Sequence, residues 1–133
     1  MRLLILSLCL LSFAACKKEN STTTYTLLEA NNSKVHGTVE VKAQGNKSAV
    51  YFRIISDTAN RRFDAHFHEG PPNGYKGFAP YAFMNFGAVG NLAELRDTID
   101  IKYADFLLFD ATAVVHLAGQ SPVLAKGGVG KNK

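Results

Sequence analysis

Tryptophan is missing from this chain of 133 residues, and cysteine is scarce, with two copies. No Gly-x-x-x-x-Gly-Lys-Ser/Thr, no Gly-x-Gly-x-x-Gly and no Cys-x-x-Cys occurs. Phosphate-cradling nucleotide enzymes and zinc ribbons therefore have no support. Charge is thin as well: 20% of residues are charged and the formal net charge is +4, with basic residues placed singly or in the short runs Lys17-Lys18 and Arg61-Arg62. A nucleic-acid-binding protein carries a denser basic stripe interleaved with aromatics, so no nucleic-acid partner is expected. A mass of 14.5 kDa supplies one hydrophobic core and not two. Long helical periodicity is also lacking, since no stretch after Tyr25 keeps an apolar helical period beyond about two turns.

The longest apolar run is at the amino terminus. After Met1-Arg2, residues 3–15 are almost entirely apolar and end in Ala14-Ala15. This run falls short of the roughly 20 residues a bilayer-spanning helix needs, but it suits the apolar region of a secretory signal. Phe13-Ala14-Ala15-Cys16 resembles a bacterial lipobox, although Phe13 stands where an aliphatic residue is usual and fits best the variants of Bacteroidetes-type lipoproteins. That resemblance implies a signal peptide over residues 1–15, a lipid-bearing Cys16 and attachment to the cell envelope. Lys17, where Asp would retain the protein at the inner membrane, implies the outer membrane, facing the periplasm or the surface. Each buried acyl methylene contributes about 0.8 kcal/mol, so several chains give lasting attachment. Cys9 leaves with the signal, so no disulfide is expected. Residues 16–24 read as a polar tether (Lys17-Lys18-Glu19-Asn20-Ser21-Thr22-Thr23-Thr24), and the folded domain spans 25–130.

Short alternating runs fill that domain. Residues 25–30, 35–41, 49–55, 63–68, 95–101, 111–117 and 123–129 read as strands, with Gly45-Asn46 as a tight turn and residues 104–109 as one helical turn. Val35, Gly37, Val39 and Val41 share one strand face. The Gly/Pro-rich segment 69–80 interrupts the pattern, and a long crossover over 69–94 is expected. The fold class is all-β: an antiparallel Greek-key sandwich or barrel of about seven or eight strands.

Four histidines are present: His36, His66, His68 and His116. His66 and His68, two apart on a strand, project from the same face and can chelate one metal ion, with Phe67 turned the other way. Imidazoles without thiolates suit copper, zinc, iron or nickel and argue against a closed structural zinc site. Phe63-Asp64-Ala65-His66-Phe67-His68-Glu69-Gly70 and Ala113-Val114-Val115-His116, with the glycine-rich stretch at residues 126–130, together resemble the chordin-type (CHRD) domain and the Cu,Zn superoxide dismutase fold it shares. The resemblance spans about residues 25–130. It implies a superoxide dismutase-like sandwich with His66, His68 and His116 as copper ligands.

Departures from that family limit the activity it implies. No histidine lies between His68 and His116, so the bridging and zinc-binding histidines are missing, and no zinc is expected. The disulfide cysteines and the arginine that follows the last copper ligand are missing too. No catalytic residue is therefore assigned, and the leaning is toward a non-catalytic binding or scaffolding module that takes copper. The alternatives are a copper-only dismutase-like redox enzyme, and a metal-free interaction module using a sheet edge or residues 70–86. A monomer is expected, with an envelope protein or glycan as partner. Asp64 and Glu69 read as solvated polar residues at a strand edge, with the orienting of an imidazole from outside the ligand set as the alternative, and His36 reads as a surface or structural residue. The aromatics Tyr75, Phe78, Tyr81, Phe83 and Phe86 read as a packed loop contributing to the core, with a cover over the histidine face or a ligand-binding lip as the alternative.

Overall fold

The computed structural model describes residues 21–133. The signal segment, Lys17-Lys18 and Cys16, the expected lipidation site, lie outside the described residues. Eight strands form: β1 (Thr22–Glu29), β2 (His36–Gln44), β3 (Lys47–Ile55), β4 (Arg62–Glu69), β5 (Tyr81–Val89), β6 (Leu92–Ile99), β7 (Asp110–Leu117) and β8 (Val123–Gly130). A short helix, α1 (Tyr103–Leu108), joins β6 to β7. The strands pair antiparallel and close into a barrel in the order β1-β2-β3-β6-β5-β4-β7-β8.

This order is a Greek key. Strands β4, β5 and β6 are successive neighbours, and β7 returns to lie beside β4. The crossings are therefore β3 to β4 and β6 to β7, and not the expected crossover over 69–94. That segment instead holds a loop, the strand β5 and the start of β6. β1 also starts earlier than the tether reading allowed, since Thr22, Thr23 and Thr24 pair with Lys42, Val41 and Glu40. β-branched threonine suits a half-exposed strand, which its polarity hides.

Alternation sends one side of each strand inward. Val39 and Val41 of β2, Val50, Phe52 and Ile54 of β3, and Phe63, Ala65 and Phe67 of β4 are fully or almost fully buried. The Phe52 ring centroid lies 5.7, 5.1 and 6.3 Å from those of Phe67, Phe83 and Phe86, and Phe67 lies 5.6 Å from Phe106 of α1. Phenylalanines thus fill the interior, each worth roughly 1.5–3 kcal/mol when fully buried. Ala111, Ala113 and Ala125 give them room from β7 and β8.

The inward set of β4 fixes what its outer face carries. With Phe63, Ala65 and Phe67 inside, Asp64, His66 and His68 must point out. Thr112, Val114 and His116 of the neighbouring β7 likewise face out. Residues 70–76 fold back over this surface: Lys126 of β8 donates to the Pro72 carbonyl at 2.9 Å, and the Tyr75 ring lies 5.1 Å from that of His68. Val114, outside the core, is fully buried beneath this layer.

Candidate metal centre

Ladder register brings the histidines together. His66 pairs with Val114 and Asp64 pairs with His116, so His66 and His116 are diagonal neighbours across the β4–β7 pair. Ring centroids stand 5.5 Å apart for His66–His68 and 5.5 Å for His66–His116. One ring nitrogen from each of the three lies within 4.8 Å of the others, so the group can hold a metal ion. His116 thus joins the pair that the His-x-His spacing identified. His36 does not: it is exposed at the start of β2, opposite Ile55.

Two of the rings are oriented by main-chain carbonyls. His68 Nδ1 lies 2.9 Å from the Lys76 carbonyl, and His116 Nδ1 lies 3.1 Å from the Pro122 carbonyl. A carbonyl oxygen only accepts, so Nδ1 carries the proton in both rings and donates it. In the neutral ring the lone pair is then on Nε2, the arrangement that metal-ligating histidines take from such outer partners. Nε2 of His68 is buried and has no hydrogen-bond partner among the described residues. An unsatisfied buried polar atom costs about 1–3 kcal/mol, and a metal ion at this point would satisfy it.

His66 is held differently. Among the described residues, neither of its ring nitrogens makes a hydrogen bond. Burial lowers its pKa from the ordinary value, as do the neighbouring His116 and His68, while Asp64 opposes the shift. The ring is therefore neutral at neutral pH, with its lone pair available. Three imidazole nitrogens at metal–nitrogen distances near 2.0 Å sit about 3.5 Å apart in a trigonal arrangement. The free His66 ring is the one able to turn and close the remaining gap.

Asp64 departs from the solvated strand-edge reading, whereas Glu69 stays half-exposed at the end of β4. Asp64 is 4% exposed, and its two carboxylate oxygens accept from the Asn85 amide at 2.6 Å and the Gly119 amide at 2.9 Å. Glu69 accepts from the Lys76 ammonium at 3.0 Å and so closes the loop that supplies the carbonyl to His68. The Lys76 amide donates to the Glu69 carbonyl at 2.7 Å across the same loop. Thr112 ties in its base by donating to the Gly70 carbonyl at 2.7 Å.

The expected aromatic layer divides. Tyr75 covers His68, Phe78 is 68% exposed, and Phe83 and Phe86 are in the core. The two carbonyls that orient the rings carried no sequence signal, because every residue has one. Asp64 carried a faint signal in being two residues before His66, and so on the same face. No protein-family model matches the chain, and no curated protein matches it.

Proposed function

We propose that this chain is a copper-binding module of the bacterial envelope, tethered by lipid on Cys16 and built on a CHRD-like, superoxide dismutase-like barrel. The observation that carries the metal reading is the buried, unpartnered Nε2 of His68, set beside His66 and His116 with its own Nδ1 fixed by the Lys76 carbonyl. Three imidazoles with no thiolate among them favour copper, which forms the most stable divalent complexes of the first-row metals with such donors. Bound copper would supply one-electron exchange. The chain's own contribution is to hold two rings in the ligating tautomer and to leave the third free to close on the ion.

A binding or scaffolding role fits better than a dismutase, because the sequence has no bridging histidine and no arginine after His116. An envelope protein or glycan is the partner class that accords with lipid anchoring. Competition between copper and zinc for the full chain, read with a chromogenic chelator, tests the metal. The reading expects copper to displace zinc, and preferential zinc retention would refute it. Metabolic labelling with palmitate tests the anchor, with incorporation expected in the wild type and lost in Cys16→Ser; equal labelling of both would refute it.

A further inference from the structure

Asp64 sits between two interruptions of the barrel ladders. On one side β5 bulges: Phe63 pairs with Phe86 and Ala65 with Phe83, which leaves Met84 and Asn85 opposite the single residue Asp64. Asn85 has a positive φ of 58°, and its amide, which falls in the interrupted stretch of the ladder, donates to Asp64 Oδ1. On the other side is His116, paired with Asp64 on β7 and itself at a register shift against β8. Beyond it the chain turns, and the Gly119 amide of that turn donates to Asp64 Oδ2. The same turn leads to Pro122, whose carbonyl accepts from His116 Nδ1.

A buried carboxylate whose two oxygens receive two main-chain amides, from opposite neighbours, does more than fill space. Hydrogen bonds to a charged acceptor are about twice as strong as neutral ones. We infer that Asp64 is the positioning residue of the histidine site: by clamping the β7–β8 turn to β4 it sets the Pro122 carbonyl against His116 and so fixes that ring's tautomer and direction. Among the described residues Asp64 makes no hydrogen bond to a histidine ring; it acts through the turn. The copper consequence of this inference rests on the metal reading above, while the effect on the ring does not.

Asp64→Asn is the informative variant. Its amide group keeps one acceptor but turns an N–H donor toward one of the two main-chain amides, which breaks one arm of the clamp. Long-range proton–nitrogen NMR of the metal-free full chain reads the His116 tautomer directly. The wild type is expected to show the Nδ1–H form alone, and Asp64→Asn a mixture of both forms. Val41→Ala, in the core on the far side of the barrel, serves as the control for lost stability and is expected to keep the wild-type form. If Asp64→Asn does not fold, Asp64→Ser is read in the same way. An unchanged His116 tautomer in the Asp64 variant would overturn the inference. So would the same mixture in Val41→Ala. In the copper arm, Asp64→Asn should bind Cu(II) roughly tenfold to a hundredfold more weakly, as altered outer partners of ligands generally do, with a changed paramagnetic resonance spectrum. Wild-type affinity and spectrum in Asp64→Asn would count against the positioning role. Absence of binding by the wild type would count against the metal reading alone, with the tautomer result still deciding the role of Asp64.

Discussion

His66 and His116 stand diagonally across the β4–β7 ladder with their ring centroids 5.5 Å apart, although 50 positions separate them in the chain. Greek-key closure makes this possible, because the return of β7 beside β4 sets its outer face next to the His-x-His face. The three rings are not equivalent. His68 and His116 are fixed through Nδ1, and His66 makes no hydrogen bond among the described residues.

That inequality separates binding from stability. His66→Ala should abolish tight metal binding yet change the unfolding free energy of the metal-free protein by less than about 1 kcal/mol, because the half-buried ring makes no hydrogen bond among the described residues. His68→Ala should lose binding and also destabilise by about 1–3 kcal/mol, because it empties a buried position packed on Tyr75 and removes the donor to the Lys76 carbonyl, losses that relief of the unsatisfied Nε2 offsets only in part. Urea unfolding of the two variants checks this, and equal stability losses would contradict it.

The lowered pKa of His66 gives a pH dependence with a definite sign. Its unfolded value is near 6.5, and the folded value lies below it because burial and the neighbouring histidines disfavour the charged ring. Between those two values the unfolded chain binds more protons, so the contribution of His66 is full above the unfolded pKa and is lost as pH falls through it toward the folded value. Metal-free wild type should therefore lose more stability between pH 7.5 and 5 than His66→Gln does. Denaturation midpoints at the two pH values provide the comparison, and parallel losses would contradict it.

Closure of the barrel at β1 and β8 depends on a glycine. A Cβ at Gly127 would run into the Thr26 carbonyl, a main-chain atom that no side-chain rotation can move. Gly127→Ala should therefore cost about 1–3 kcal/mol, the usual range for overpacking, measured as a lowered thermal midpoint. A neutral effect would mean that β1 and β8 lie further apart than described.

Much of the fold was legible because alternation is strong where both faces are plain. Val39 and Val41, and Phe63, Ala65 and Phe67, announce their inward sides two residues at a time. β5 was not legible because its bulge breaks the period: Phe83 and Phe86 both enter the core although they are three apart, which fits no single strand phase. The same kind of irregularity displaces β8 at His116. At the site, the His-x-His spacing fixed a shared face, and the family resemblance supplied His116. What orients the rings was hidden, since main-chain carbonyls have no residue signature. The solvated reading of Asp64 fails for a related reason, as an acid beside a bulge and a turn finds main-chain donors that an acid on a regular strand edge does not.

The most direct measurement is a titration of the full chain with Cu(II), followed by calorimetry and paramagnetic resonance, beside the His66→Ala/His68→Ala/His116→Ala variant. The account predicts one tightly bound ion per chain with nitrogen hyperfine structure from the imidazoles, both lost in the triple variant. Absence of binding by the wild type, or equal binding by both proteins, would contradict it.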